Sequence, residues 1–102
     1  MFTYSQAGIF IGNHKRRKLC NNTYIEHIGN GCIGIKLHNT YVVKMYPNDD
    51  YELNTGGFRT KVTMNRMNKY SPANVYQKDY EWYVVSTNTP QGQTFFDGMK
   101  VR

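Results

Sequence analysis

Turn-forming residues interrupt this sequence at short intervals, and their spacing is the feature that most limits what the chain can fold into. Clusters such as Gly29-Asn30-Gly31 and Pro90-Gln91-Gly92 leave only short segments between them. These segments are rich in Tyr, Ile, Val and Thr, which favour β-strands. We therefore predict strands at residues 8–12, 24–28, 32–38, 41–46, 51–54, 75–77, 81–86 and 94–96.

Two of the connections are short enough to predict hairpins. Residues 33–37 alternate between apolar and small or charged side chains, which gives that strand one buried face and one solvated face. Asn39-Thr40 follows and should close a tight hairpin into the next strand. Lys78-Asp79 should likewise connect the strands on either side of it.

One segment departs from this pattern and predicts a helix at residues 60–69. It contains no Gly or Pro, follows a flexible Gly-Gly pair, and begins at Thr60, whose side chain is suited to cap a helix. Met64 and Met67 share one face at helical spacing. The predicted fold class is α+β: a small antiparallel β-sheet meander with this one short helix packed on it, in a single domain of residues 1–102.

Aromatic residues must supply much of the core, because the hydrophobic fraction is only 39% while the aromatic fraction is 15%. We predict that Trp82 and Phe58 are core residues. Tyrosine is common in strands and cores, but on a sheet surface it can also stack on nucleic-acid bases, so both roles stay open. The residues concerned are Tyr24, Tyr41, Tyr46, Tyr51, Tyr70, Tyr76, Tyr80, Trp82 and Tyr83.

Positive charge is concentrated in two clusters. The chain has 13 Lys and Arg residues against 7 Asp and Glu residues, which gives a formal net charge of +6. One cluster is residues 15–18, and the other comprises Arg59, Lys61, Arg66 and Lys69. Without these clusters the chain has more acidic than basic residues. It is therefore a protein with two basic patches rather than a uniformly basic one.

Both clusters point to a polyanion. Residues 15–18 are predicted to form a polar loop, in which adjacent cations repel one another unless they are solvated or bound to phosphates. In residues 56–69 a Gly-Gly turn lets the backbone approach a ligand, and the helix N-terminus that follows suits phosphate. Solubility, helix capping and a solvated face explain the same residues without a ligand. The predicted nucleic-acid-binding or partner-binding residues are Lys15, Arg16, Arg17, Lys18, Arg59, Lys61, Thr63, Arg66 and Lys69.

Other function classes find little support in the sequence. No apolar run approaches the roughly 20 residues of a membrane span and no signal peptide is evident, so no membrane association is expected. Cys20 and Cys32 could pair in principle, but reduced thiols are expected. No Cys-x-x-Cys or His-x-x-x-His pair occurs, and the acids form no compact group beyond Asp49-Asp50. We therefore expect neither a metal, nor a cofactor, nor enzymatic activity.

Three segments resemble a family of small tailed-bacteriophage proteins. Residues 53–68 match a strand that leads into a Gly-Gly-aromatic turn and a short Thr-rich helix ending in Arg-x-Asn. Residues 75–84 and residues 96–99 are similar to later segments of the same family, in the same order. The resemblance covers about residues 32–100 and leaves residues 1–31, with the basic loop, outside it as an extension.

One position departs from the family pattern. The family often has a Thr-Thr-Lys run in the helix where this chain has Val62-Thr63-Met64, so a basic residue is missing there, although Lys61 supplies one nearby. The resemblance implies a bacteriophage origin, and with it the host cytoplasm as the place of action. It implies no particular chemistry.

Two functions from different classes follow from these observations. The first is a phage accessory protein that binds DNA or RNA through its two basic patches, with one or two tyrosines stacking on bases. The second is a non-enzymatic inhibitor or modulator of a host or defence protein, in which a basic patch meets an acidic surface or competes for a nucleic-acid site. A structural part of the phage particle is a third class. Open edge strands in a small sheet also allow a homodimer.

Overall fold

The structure is a computed structural model and describes residues 2–102. Within these residues, no helix has the length and apolar character that crossing a membrane requires. The elements are α1 (Tyr4–Ile11), β1 (Arg16–Cys20), β2 (Thr23–His27), β3 (Ile33–Leu37), β4 (Thr40–Met45), β5 (Tyr51–Leu53), α2 (Lys61–Tyr70), β6 (Asn74–Lys78), β7 (Glu81–Ser86), β8 (Thr89–Thr94) and β9 (Met99–Val101).

The strands form two antiparallel sheets. Strands β1 to β5 follow one another in a six-stranded sheet, which we call the large sheet, and β9 pairs with β5 at its far edge. Strands β6 to β8 form a separate three-stranded sheet, the small sheet. Helix α2 and the small sheet are thus inserted between two neighbouring strands of the large sheet. The predicted α+β class is confirmed.

Residues 8–12, predicted to be a strand, belong largely to helix α1. Its N-terminus carries a capping box. The Thr3 hydroxyl accepts from the Gln6 N–H, and the Gln6 side chain accepts from the Thr3 N–H, each at a donor–acceptor distance of 3.1 Å. Ala7 and Ile11 lie one turn apart and are both fully buried. The cap and the helical spacing of these two residues outweigh the strand preference of the Ile-rich segment.

Residues 15–18, predicted to be a polar loop, lie mostly in strand β1 at an edge of the large sheet. Strand β1 pairs with β2, and a strand turns successive side chains to opposite faces. Arg16 and Lys18 therefore point to one face and Arg17 to the other, which separates charges that would repel one another in a loop. Lys15 lies in the bend before the strand.

The helix predicted at residues 60–69 is confirmed as α2, with Thr60 as its N-cap. The Thr60 hydroxyl accepts from the N–H of Thr63 at 3.1 Å. Near the other end, the Asn68 side chain accepts from the N–H of Val75 at 2.6 Å and donates to the carbonyl of Val75 at 2.9 Å. These two bonds hold strand β6, and with it the small sheet, against the helix.

Both predicted hairpins are present, but each turn lies one residue away from its predicted position. The first turn is His38-Asn39 and the second is Asp79-Tyr80. His38 has a φ of 55°, and Asp79 and Tyr80 have φ values of 52° and 67°. Two-residue hairpin turns require such left-handed backbone, so the residues that adopt it decide where the turn lies.

Strands β8 and β9 are missing from the prediction, except that the segment predicted at residues 94–96 overlaps β8 at Thr94. Pro90 and Gly92 mark β8 as a turn in the sequence. The strand tolerates Pro90 because β8 is an edge of the small sheet and Pro90 lies in the irregular stretch between the Ser86–Thr89 and Val84–Gln93 pairs, where it has no partner in β7. Strand β9 is only 3 residues long. It pairs with a strand far away in the chain, which no local pattern reveals.

The core lies on one face of the large sheet. Buried residues stand in register there across β2, β3, β4, β5 and β9. The two helices pack on this face and the small sheet packs on α2, and their buried side chains join those of the large sheet in one hydrophobic core. The register row at its centre comprises Ile25, Ile35, Val43, Leu53 and Met99.

The two predicted core aromatics differ in outcome. Trp82 is 3% exposed and its ring centre lies 5.7 Å from that of Phe95, so its place in the core is confirmed. Phe58 is 68% exposed, and the prediction is wrong for this residue. The Gly56-Gly57 turn brings Phe58 to the surface, while Trp82 and Phe95 fill the core.

One hydrogen-bonded contact joins the two ends of the insertion. The backbone N–H of Thr55, just after β5, donates to Asp97 Oδ1 at 2.7 Å, and the Thr55 hydroxyl donates to the same oxygen at 2.8 Å. The N–H of Gly98 donates to the carbonyl of Leu53 at 2.8 Å. Because Thr55 is buried, its hydroxyl has no water to replace the carboxylate.

We expect Thr55→Val to lower the free energy of unfolding by about 1.5–3 kcal/mol, the usual worth of a hydrogen bond to a charged group. Urea denaturation followed by circular dichroism measures this change. Thr94→Val, on the exposed side of β8, is the matched control and should stay within about 0.5 kcal/mol of the parent protein. Equal effects of the two variants would contradict a stabilising role for the Thr55–Asp97 contact.

Candidate nucleic-acid interface

The face of the large sheet opposite the core carries a row of charged and aromatic side chains. Residues paired across neighbouring strands share a face, so the registers of β1 to β5 and β9 identify its members. We call this surface the open face. Its residues are Arg16, Lys18, Tyr24, Glu26, Gly34, Lys36, Tyr41, Lys44, Glu52 and Lys100, with Tyr46 just beyond β4.

Cations outnumber carboxylates on the open face. Among the described residues that the register places on this face, Glu26 and Glu52 are the only acids, and an ion pair links Lys44 Nζ to Glu52 at 3.9 Å. Such an exposed pair is worth little and leaves most of the positive charge uncompensated. The cations are Arg16, Lys18, Lys36, Lys44 and Lys100.

Three of these cations lie over tyrosine rings. Arg16 Cζ is 3.9 Å from the centre of the Tyr24 ring, and Lys36 Nζ is 5.4 Å from the centre of the Tyr41 ring. Lys100 Nζ is 4.5 Å from the centre of the Tyr46 ring. A ring face attracts a cation by about 0.5–1 kcal/mol at exposed sites and restricts where the long side chain lies. The tyrosines therefore position charge across the sheet.

Two of the tyrosines are held in place by the two acids. The Tyr41 hydroxyl donates to Glu26, and the Tyr46 hydroxyl donates to Glu52 Oε1 at 2.7 Å. Each hydrogen bond favours the neutral phenol and raises the pKa of its tyrosine to about 12, with a smaller contribution from desolvation. Both phenols are therefore uncharged donors at neutral pH.

A bulge and a glycine allow Tyr41 to reach its partner. Lys36 pairs with Tyr41 while Ile35 pairs with Val43, so strand β4 has one extra residue between these pairs. The Tyr41 ring lies over Gly34, where a side-chain Cβ would be 2.5 Å from Tyr41 Cδ1. Only glycine leaves room for the ring to cross this strand toward Glu26.

Three residues predicted from the sequence to bind a partner make contacts within the fold. Arg17 donates to the carbonyl of Phe10 at 2.9 Å, in the last turn of α1, and its guanidinium lies 4.3 Å from the Phe10 ring centre. Arg66 donates to Thr23 Oγ1 at 2.8 Å, which ties α2 to β2. The side chain of Thr63 is buried and accepts from the Thr60 hydroxyl.

The other cations near α2 lie away from the open face. Arg59 stands 5.3 Å from the Phe95 ring centre, on the small-sheet side of the molecule. Lys61 and Lys69 are exposed on α2, which packs on the core side of the large sheet. Arg16 and Lys18 are thus the only members of the predicted set that belong to the open face, and the two sequence clusters do not merge into one surface.

An aromatic group connects the two clusters at the β1 edge. Phe2 lies 5.4 Å from Phe10 and 6.2 Å from Tyr70, measured between ring centres. Arg17 lies over Phe10 at one end, and Lys69 Nζ is 5.5 Å from the Tyr70 ring centre at the other. Packed aromatic rings therefore connect the two basic clusters, with Arg17 at one end of the group and Lys69 at the other.

Lys36, Lys44 and Lys100 are members of the open face that the sequence analysis did not include. The alternation of residues 33–37 is a signal for Lys36, because it places this side chain on the solvated face. No comparable signal exists for Lys100, since β9 was not predicted. Its place beside Glu52 follows from the pairing of β9 with β5.

Cys20 and Cys32 are both free thiols, and Cys20 is half-buried whereas Cys32 is buried. Desolvation opposes ionisation of Cys20, but hydrogen bonds with Tyr70 and Thr23 and the charges of Arg66 and Lys69 outweigh it and lower the pKa of the thiol. The Cys20 sulfur and the Tyr70 hydroxyl oxygen are 3.5 Å apart.

We expect iodoacetamide at pH 8 to alkylate Cys20 about tenfold faster than the buried Cys32, because the thiolate is the reactive form. Tyr70→Phe should slow the alkylation of Cys20, because it removes a hydrogen-bond donor to the thiolate, and should leave the alkylation rate of Cys32 unchanged. Peptide mass spectrometry over a time course measures both rates. Equal rates at the two cysteines would contradict this assignment.

We expect the Tyr41 and Tyr46 phenols to ionise near pH 12 rather than near the ordinary value of 10.0. Since the folded pKa is the higher one, this contribution to stability is complete below pH 10 and is lost as the pH rises toward 12. Carbon-13 NMR of the tyrosine rings measures each pKa. Glu26→Gln should return the pKa of Tyr41 toward 10 and leave the pKa of Tyr46 unchanged, and Glu52→Gln should have the opposite effect. A change in the pKa of both tyrosines in either variant would contradict two independent pairs.

A family comparison matches almost the whole chain. Residues 4–102 match the family model described as Kyanoviridae Gp96 protein, and this range includes α1 and the basic strand β1 as well as the segments that carry the resemblance. No curated protein and no solved structure was found to match the chain. The tailed-phage origin implied by the sequence is confirmed, and the chain belongs to the Kyanoviridae Gp96 family of tailed-phage proteins.

Proposed function

We propose that this chain is a non-enzymatic accessory protein that binds nucleic acid in the host cytoplasm through the open face of the large sheet. The observation that carries the proposal is the pattern of charge on that face. The face carries five cations and two carboxylates, and tyrosine rings position three of the cations. The cations are Arg16, Lys18, Lys36, Lys44 and Lys100. A fixed array of cations suits a regular array of phosphates.

The dimensions of the open face fit a nucleic-acid backbone. Arg16 and Lys100 stand at the ends of one register row that crosses all six strands. Strands lie about 4.8 Å apart, so the row is about 24 Å long. Phosphates along one strand of DNA repeat about every 3.4 Å of helix axis, so the row spans roughly seven nucleotides.

The proposed contacts are to phosphates rather than to bases. One face of each of the Tyr24, Tyr41 and Tyr46 rings is already occupied by a cation of the protein. A base could stack there only after displacing a cation that a phosphate would hold in place. Phosphate contacts carry no sequence information, so we expect little sequence preference.

The alternative is a protein-directed modulator of a host or defence factor. Strand β1 supports it, because this edge strand presents unpaired backbone groups beside Arg16 and Lys18. An acidic extended segment of a partner protein, or the edge strand of a second copy of this chain, could pair with β1. Binding to a host protein without binding to nucleic acid would favour this function over the first.

Binding to fluorescein-labelled single-stranded and duplex DNA and RNA, measured by fluorescence anisotropy at several salt concentrations, tests the proposal. Lys36→Gln/Lys100→Gln should weaken binding at least about tenfold and make the slope of log K against log salt shallower by about two. Lys61→Gln/Lys69→Gln, which removes the same charge from exposed sites on α2, is the matched control and should bind like the parent protein.

Two results would contradict the open face as the interface. One is unchanged affinity and salt slope in Lys36→Gln/Lys100→Gln. The other is an equal loss in the α2 variant, because that would make net charge, rather than the arrangement of the open face, the cause of binding. Thermal melts of both variants confirm that the comparison is between folded proteins.

A further inference from the structure

A groove lies at the end of the large sheet where two of its hairpin turns meet the segment leading into α2. Its volume is about 710 Å³, within the range of small-molecule sites. We call it the turn groove. The residues that matter for its chemistry are Asn21, Asn22, Asn39, Phe58, Val62 and Arg66.

Two apolar side chains stand exposed in the turn groove. Phe58 is 68% exposed and Val62 is 48% exposed, and the buried side chains of Leu37 and Val42 also line it. An aromatic ring and a branched side chain left open beside an apolar wall can pack against a flat apolar body.

Arg66 adds a positive charge that no carboxylate within residues 2–102 balances. Its Nε donates to Thr23 Oγ1, its Nη1 to Asn65 Oδ1 at 2.7 Å, and its Nη2 to the carbonyl of Asn21 at 3.3 Å. All three acceptors are neutral, and among the described residues no Asp or Glu lines the turn groove. A guanidinium has five N–H groups, so two are left to donate to an anion.

Three amide side chains complete the turn groove. The side chains of Asn21, Asn22 and Asn39 are exposed and make no hydrogen bond within residues 2–102. The two turns that carry them are tied together, because the N–H of His38 donates to the carbonyl of Asn22 at 3.0 Å. Each amide offers a donor and an acceptor side by side, the pattern that pairs with the edge of a nucleobase.

We propose that the turn groove binds a nucleoside phosphate, with the base packed against Phe58 and Val62, its edge paired with the asparagine amides, and the phosphate at Arg66. One ligand of this class satisfies the apolar wall, the amides and the unbalanced cation together. The site is separate from the open face, because it lies among turns and α2 rather than on the sheet surface. The ligand is either a free mononucleotide or one nucleotide of a nucleic-acid strand.

Titration of the nitrogen-15-labelled full chain with 5′-AMP, 5′-CMP, 5′-GMP and 5′-UMP, followed by NMR, tests this site. Shifts from at least one of these mononucleotides, or from the oligonucleotide described below, should centre on Asn22, Asn39 and Val62. The matching nucleoside and inorganic phosphate should each bind at least about tenfold more weakly than the nucleotide. A nucleoside that binds as tightly as its nucleotide, or shifts centred outside the turn groove, would overturn the proposal.

Phe58→Ala should weaken nucleotide binding about tenfold through the loss of stacking. Phe96→Ala is the matched control, because Phe96 is also exposed, at 52%, and does not line the turn groove. Arg66→Lys should weaken binding of the nucleotide and leave binding of the nucleoside unchanged, since lysine lacks the planar guanidinium that holds a phosphate with two hydrogen bonds. Because Phe58 is exposed, its truncation leaves the core intact and keeps the test valid even if Arg66→Lys unfolds the chain.

The same titration with a single-stranded oligonucleotide identifies the source of the ligand. Shifts in the turn groove from mononucleotides indicate a free nucleotide, and shifts there from the oligonucleotide alone indicate a nucleotide within a strand. No shift in the turn groove from either overturns this inference. The function of the open face is judged separately, because Lys36→Gln/Lys100→Gln should lose oligonucleotide affinity while it binds the mononucleotide like the parent protein.

Discussion

The alternation of side chains across the large sheet is the constraint on which the rest of this molecule depends. Most residues on one face of β2 to β5 are buried, because both helices pack on that face. The residues between them are then forced outward and into rows. The open face is therefore a by-product of burying the core, and a slip of one residue in register would exchange charge for apolar surface.

Elements with a strong local signal could be predicted from the sequence, and elements that depend on distant partners could not. The α2 helix, most of the strands of the large sheet and the burial of Trp82 follow from periodicity, capping and turn residues. Strand β9 exists because β5 offers it an open edge. Phe58 was assigned to the core from its residue type, but the Gly-Gly turn decides its position.

The candidate site was predicted less completely, because neighbours in sequence are often separated in space. Arg16 and Arg17 are adjacent, yet one lies over Tyr24 on the open face and the other holds the end of α1 on the core face. Lys36 and Lys100 are far apart in sequence and belong to the same surface. A basic cluster in a sequence therefore indicates a charged segment, while only the strand register indicates a charged surface.

The insertion of α2 and the small sheet between β5 and β9 has a consequence for the order of folding. Strand β9 pairs with β5 across the long intervening segment, so we expect the far edge of the large sheet to close late in folding. Lys100 lies on that strand. In a partly folded chain in which β9 is not yet paired with β5, the charged row on the open face is thus incomplete, and its full length becomes available to a polyanion only when β9 has docked.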